Sequence, residues 1–268
     1  MTWKRSHRPR RAVAVTALAT LVAAAVTACS SDDGAGGGAS ASPSPSASER
    51  PLVGAACAAD AAGGTQVRFG GDDYLAGVVM GSGTTGVVLA HEYQSDSCNW
   101  LPYAKTLADE GYTTLTFDFA GYGASELPAG TASNDADVAE AAAYLRAHGA
   151  SKIVLLGASM GAQAELNDIK TVDPEAVVSL SSPWSFGSEA VDPSGVTVPV
   201  LLLAGRTDSG GGFAESARLI ASKAPSKHAT VAIVDSSEHG TGLLRSVQRT
   251  AVEKKIATFL ATYAPPTS

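Results

Sequence analysis

The chain has 268 residues, 45% of them hydrophobic, with 19 basic and 26 acidic side chains and a formal net charge of −7. A surface of that sign excludes binding of nucleic acid or anionic lipid by charge. The length beyond residue 51 is enough for one large core, and no internal repeat or second domain is visible in it.

The first 28 residues open with Lys4, Arg5, Arg8, Arg10 and Arg11, hold no acidic residue, and run into an Ala/Val/Leu-rich stretch from Ala12 to about Ala28. A basic region followed by an apolar one is the pattern of an export signal. About 17 mostly small residues are marginal for a permanent span of a ~30 Å hydrocarbon core. The stretch ends in Val26-Thr27-Ala28-Cys29, which resembles the lipobox of bacterial lipoproteins. The resemblance implies a signal peptide over 1–28, lipidation of Cys29, and anchorage at the outer face of the bacterial cell membrane. Arg10-Arg11 leaves Sec and twin-arginine export both open. Residues 29–51, with "SSDDGAGGGASASPSPSASERP" after the cysteine, have almost no bulk to bury and read as a disordered Gly/Ser/Pro-rich tether. The leader holds five basic and no acidic residues, so the mature chain would carry 14 against 26, a net of about −12.

Residues 52–268 read as one α/β domain. Strands are predicted at 67–69, 74–80, 86–90, 113–118, 152–156, 176–180, 199–204 and 230–234, and helices at 98–110, 135–148, 160–172, 213–223 and 243–262. The first two strands follow each other directly, as an antiparallel start would. Thereafter strand and helix alternate, which gives a mostly parallel sheet with helices on both faces. Runs such as "IVLL" and "VLLLA" suit strands covered on both sides. Catalytic groups in such sheets gather beyond the carboxyl ends of the strands. Cys57 and Cys98 remain after Cys29, and outside the cytosol they are expected to pair. That bridge would close a 41-residue loop, worth on the order of 3 to 4 kcal/mol.

The strand at 152–156 leads into Gly157-Ala158-Ser159-Met160-Gly161, a G-x-S-x-G match with helix-compatible sequence after it. That is the context of a nucleophile elbow, in which glycines make room for a tight strand-to-helix turn. A serine hydroxyl needs a base within hydrogen-bond reach. His7 lies in the leader, His148 near a helix end and His228 before the last strand, and all three read as surface residues. His239 stands in "VDSSEHGTGLL", between the last strand and the C-terminal helix, where its ring would swing over the serine. A carboxylate must hold its tautomer and stabilise the imidazolium. Asp208, four residues past the strand at 199–204, fills that role, and Glu238, adjacent to His239, is the lesser competitor. The order Ser159, Asp208, His239 is that of the α/β-hydrolases.

Other motifs carry the same resemblance. "HEYQSDSCNW" after the strand at 86–90 is similar to the family's His-Gly oxyanion loop, with His91 as its structural histidine and Trp100 at the position of a downstream tryptophan. "DFAGYGAS" matches its Asp-x-x-Gly-x-Gly-x-Ser turn through Asp118, Gly121, Gly123 and Ser125, which shape the site without chemistry. Over 74–262 the domain thus resembles the α/β-hydrolase superfamily. The resemblance implies a central sheet of about eight strands and an oxyanion hole from the backbone N–H groups of Tyr93 and Met160. The family has glycine where this chain has Glu92, a departure that puts the loop conformation in question and places a carboxylate at the pocket mouth. The 18 residues at 181–198 are too few for a cap domain, so an open site is expected, with Trp184 and Phe186 as further pocket walls and short or accessible acyl groups as substrates. The implied activity is a serine hydrolase, with a small-molecule carboxylic ester as the leading substrate class and dienelactone-hydrolase-like, thioesterase and peptidase chemistry as variants. A non-catalytic surface binding or envelope module on the same fold is the alternative. There is no zinc-type Cys/His spacing, phosphate loop or dinucleotide fingerprint, so no metal and no cofactor are expected, and the domain is expected to be a monomer.

Overall fold

The computed structural model describes residues 52–130, 132–208 and 211–267. The signal peptide, Cys29 and the tether assigned to 1–51 lie outside these residues. The main sheet has eight strands: β1 (Thr65–Phe69), β2 (Leu75–Met80), β3 (Thr85–Ala90), β4 (Thr113–Asp118), β5 (Lys152–Ala158), β6 (Ala176–Leu180), β9 (Val200–Gly205) and β10 (Ala229–Val234). Between β6 and β9 a small hairpin forms from β7 (Ser185–Phe186) and β8 (Glu189–Ala190). The sheet order is β1-β2-β4-β3-β5-β6-β9-β10, with β2 antiparallel to β1 and β4 and every later pairing parallel.

The helices are α1 (Leu101–Asp109), α2 (Asn134–Ala147), α3 (Met160–Asn167), α4 (Ile169–Val172), α5 (Phe213–Lys223) and α6 (Arg249–Tyr263). Alternation along the strands divides the apolar residues between two layers. Val154 and Leu156 of β5 pack with Leu101 and Leu107 of α1 and Val252, Ile256 and Leu260 of α6. Their neighbours Ile153 and Leu155 pack with Val138 and Leu145 of α2, Leu166 of α3 and Ile220 of α5. Covering both faces is what allows β3, β6 and β9 to be buried at every position.

Three features depart from the sequence expectation. The helix at 160–172 breaks at Asp168 (φ −95°, ψ 7°), where the short polar pair Asn167-Asp168 favours a turn over a continued helix. The C-terminal helix starts later than 243, because Ser246 Oγ donates to the Leu243 carbonyl and accepts from the Gln248 N–H, both at 3.0 Å, and so closes the short turn Gly240–Leu244. The β7–β8 hairpin has no counterpart in the sequence pattern, each strand being only two residues long.

Cys57 and Cys98 are joined, their Cα atoms 5.7 Å apart. The bridge ties the turn at Ala55–Cys57 to the turn Ser97–Asn99, just before α1, and Cys57 sits in the same core as Val53, Ala61, Trp100 and Tyr103. No helix among the described residues is long and apolar enough to cross a membrane.

Candidate active site

β5 ends at Ala158, and Ser159 follows with φ 50° and ψ −113°, a backbone that side-chain-bearing residues rarely adopt. The strain is held by fixed partners. The Ser159 N–H donates to the Leu180 carbonyl at 2.8 Å, and its own carbonyl accepts from the Gln163 N–H at 3.0 Å. The flanking glycines are forced by close approach. A Cβ on Gly157 would lie 2.5 Å from Glu165 Oε2 and 2.6 Å from the Ala162 nitrogen. One on Gly161 would lie 2.5 Å from the Ala90 carbonyl oxygen and 2.7 Å from that of His91. The start of α3 is therefore pressed onto the backbone of the loop after β3.

Asp208 and His239 stand past β9 and β10, two adjacent parallel strands. His239 Nδ1 lies 2.8 Å from Asp208 Oδ1 and 3.0 Å from Oδ2. With the Nδ1 proton held by the carboxylate, Nε2 carries the lone pair. Glu238 does not compete for the ring; its carboxylate lies beside Gly242. The His239 loop reaches the elbow through Gly240, where a Cβ would meet Ala158 Cβ at 3.3 Å. No hydrogen bond joins Ser159 Oγ to His239 among the described residues, and such contacts are often long in unliganded sites.

Ser181 has no signal in the sequence. At the end of β6, with φ 51° and no exposed surface, it donates its hydroxyl to Asp208 Oδ2 at 2.6 Å and accepts from the Gly240 N–H at 3.2 Å. One hydroxyl thus holds both the carboxylate and the residue after the histidine. A buried serine at a strand end has no sequence signature of its own.

The loop after β3 departs from a glycine-containing one and is held by other means. The Phe119 N–H donates to His91 Nε2 at 3.1 Å, so the proton sits on Nδ1, which donates to the Glu92 carbonyl at 2.7 Å. Burial pushes the His91 pKa down, consistent with a neutral ring locked in place. The Glu92 carboxylate accepts from Thr241 Oγ1 at 2.5 Å and from Asn99 Nδ2 at 3.4 Å. Arg245 completes the link, donating to Asn99 Oδ1 at 2.8 Å and to Thr241 Oγ1 at 3.1 Å. The N–H groups of Tyr93 and Met160 have no protein acceptor among the described residues. Asp118 shapes the neighbouring turn, accepting from the Ser97 and Ala124 N–H groups at 2.7 and 2.8 Å, while Ser125 Oγ donates to the Asp118 carbonyl at 2.6 Å.

Trp184 and Phe186 line different cavities on either side of the β7–β8 hairpin. Trp184 lines one of about 590 Å³ with Pro183, Phe213 and Leu219, and the Phe213 ring lies 4.4 Å from the His239 imidazole. Phe186 lines one of about 380 Å³ with Met160, Gln163, Asp135 and Glu189, and packs 5.2 Å from the half-exposed Tyr93 ring. Carboxyls around this cavity are shifted upward, Asp168 among them through burial. Burial, then Asp168 and Glu189, raise Asp135 to about 6, and complete burial beneath the elbow pushes Glu165 well above the usual carboxylate range.

The strand order, the tight turn at Ser159 and the Asp208–His239 pair at one sheet rim define an α/β hydrolase architecture. The model of the alpha/beta hydrolase family matches residues 78–264, and the chain belongs to that family. Its fold is similar to that of an esterase from Thermogutta terrifontis (16% identity, 73% of this chain and 98% of that one, TM-score 0.56). It is also similar to a monoacylglycerol lipase from Paleococcus ferrophilus (16% identity, 71% and 99%, TM-score 0.58) and to an α/β serine hydrolase without lid from Xanthomonas campestris (16% identity, 77% and 98%, TM-score 0.57). At such identities the likeness is one of fold. A comparison with curated proteins finds no match.

Proposed function

We propose that the protein is a serine hydrolase that cleaves carboxylic esters through Ser159, His239 and Asp208. The observation that carries this reading is the pairing of a serine held at φ 50° on a glycine-flanked turn with a histidine whose Nδ1 is engaged by a buried aspartate at the same rim. His239 Nε2 takes the Ser159 proton as Oγ attacks the ester carbonyl. The free N–H groups of Tyr93 and Met160 receive the oxyanion. His239 then protonates the departing alcohol, and water releases the acyl-enzyme by the same route. The esterase and lipase activities of fold neighbours are in keeping with this chemistry.

The short 181–198 segment, which holds only a two-residue-strand hairpin and a turn, leaves the site open and favours short acyl groups. Lipidation at Cys29 and a 29–51 tether would place this chemistry at the outer face of the cell membrane. A fluorophosphonate probe tests the reading: wild type is labelled and Ser159→Ala is not. Equal labelling of both, or of neither, overturns it, and the second result favours a non-catalytic binding module. Hydrolysis that rises steadily from acetyl to palmitoyl esters overturns the chain-length preference.

A further inference from the structure

The cavity beside Met160 holds charge and polarity that the hydrolytic machinery does not use. It is walled by the start of α2 (Ser133 to Asp135), by Met160 and Gln163 of α3, and by Phe186 and Glu189 of the β7–β8 hairpin. Asp135 and Glu189 make no ion pair among the described residues, and no Lys, Arg or His lines the cavity. Gln163, one helical turn after Ser159, is only 3% exposed, and its Nε2 has no acceptor. Asp168, 5% exposed, faces Asp135 closely enough to disfavour its ionisation, and its Oδ2 has no partner either. Gln163 Nε2, a buried amide donor without an acceptor, is costly to maintain without a ligand that supplies one, while the partly buried Asp135 and the exposed Glu189 at the rim set a negative field beside it. Among the described residues no three His, Cys, Asp or Glu side chains are grouped to hold a metal ion. The complement is therefore an organic cation that also carries a hydrogen-bond acceptor.

We propose that this cavity is a subsite for an ammonium group on the acyl part of the ester, with Asp135 and Glu189 facing the cation, Phe186 beneath it and Gln163 donating to an acyl oxygen. The inference rests on the esterase reading. The side of the cleft follows from the proton transfer. The departing alcohol must lie by His239, where Phe213 and Trp184 form the other cavity, so the acyl chain extends past Met160. Phe186 adds an aromatic face, which attracts alkylammonium groups.

The test compares ethyl 3-hydroxy-4-(trimethylammonio)butanoate with ethyl 3-hydroxy-5,5-dimethylhexanoate, which match in shape and in the acyl-chain oxygen offered to Gln163 and differ in charge. Wild type is expected to show kcat/KM about tenfold or more higher for the cationic ester, carried by KM and reduced in 1 M NaCl. Asp135→Asn and Glu189→Gln are each expected to bring that ratio toward one, whereas Asp109→Asn, an exposed carboxylate paired with Lys105 on α1, keeps the wild-type ratio. A wild-type ratio near one, or a ratio unmoved by the Asp135 and Glu189 changes, overturns the subsite. Calorimetric binding of the cationic ester to Ser159→Ala separates the two readings. Binding there that Asp135→Asn abolishes, with no hydrolysis of either ester by wild type, keeps the subsite and removes the esterase. Hydrolysis of the neutral ester with no preference for the cation does the reverse.

Discussion

Ser181→Ala isolates the one hydroxyl that holds the carboxylate and the histidine loop together. The change deletes a single oxygen, and alanine meets the same φ of 51° that serine already tolerates, so packing and backbone are nearly conserved. Two buried groups each lose a hydrogen bond: the Asp208 carboxylate loses one of its donors, at 2.6 Å, and the Gly240 N–H loses an acceptor at 3.2 Å. A hydrogen bond to a charged group is worth about 1.5 to 3 kcal/mol, and an orphaned buried donor costs about 1 to 3 kcal/mol. Because the two share one oxygen the costs overlap, and a stability loss of about 2 to 4 kcal/mol is expected in urea unfolding. On the proposed mechanism Asp208 would retain its contact with Nδ1 but lose one of the hydrogen bonds that orient it, and Gly240 would be less firmly held beside the elbow. A drop in kcat of about 10- to 100-fold is expected, with KM little changed, because misplaced groups act on the transition state more than on substrate binding. The measurement is short-chain ester hydrolysis normalised to the folded fraction at the same temperature. Activity per folded molecule within twofold of wild type would show that Ser181 serves the fold alone.

Reduction of Cys57–Cys98, or Cys98→Ala, is expected to cost about 3 to 4 kcal/mol for a separation of 41 residues; a change below about 1 kcal/mol in matched urea titrations would show that the loop is ordered without it. Gly161→Val puts a Cβ 2.5 Å from the Ala90 carbonyl oxygen, where both partners are backbone, so the elbow must move and fluorophosphonate labelling should slow by at least about 100-fold; wild-type labelling would show that the turn is not needed as built. Asp135 carries a pH signature. Its carboxyl, raised from 3.8 to about 6, keeps in the folded state a proton that the unfolded chain loses, so stability falls as pH rises between about 4 and 6 and stays lower above. Asp135→Asn should therefore stabilise the protein at pH 7.5 by about 1 kcal/mol, the full shift being discounted because the group is half-buried, and should have no effect at pH 3.5; equal effects at both pH values would refute the assignment.

The parts of the site legible in the sequence are those that one segment specifies by itself. Gly157, Ser159 and Gly161 declare a turn because the glycines answer contacts made within the strand–turn–helix and against the next loop. Asp208 and His239 stand out as candidates because a predicted strand ends shortly before each of them. Ser181, Gln163 and Asp135 carry no such signal, since the surroundings of each come from residues brought near by the parallel crossovers: Ser181 meets Asp208, 27 positions on, and Asp135 meets Asp168 and Glu189. The same holds for the helix ends. The break at Asp168 and the late start of α6 come from local polar side chains outcompeting a periodic apolar pattern that continues past them.

Glu92 shows how a departure from a family pattern is absorbed. Glycine at that position serves a loop that bends by backbone freedom. Here the chain bends elsewhere, at Gln94 with φ 58°, and the side chain that replaces the missing freedom supplies an anchor. Its carboxylate, expected at the pocket mouth, takes the Thr241 hydroxyl and so couples the loop bearing Tyr93 to the loop bearing His239. The far end of the same loop is fixed by the Ser97 N–H on Asp118 and by Cys98 on Cys57. Two hydrogen bonds and a disulfide, to three separate elements, hold the seven residues 92–98, among them Tyr93, whose N–H is the proposed oxyanion donor and would have to be aimed closely for that role. Precision that glycine gives by permitting one conformation is reached here by forbidding the others.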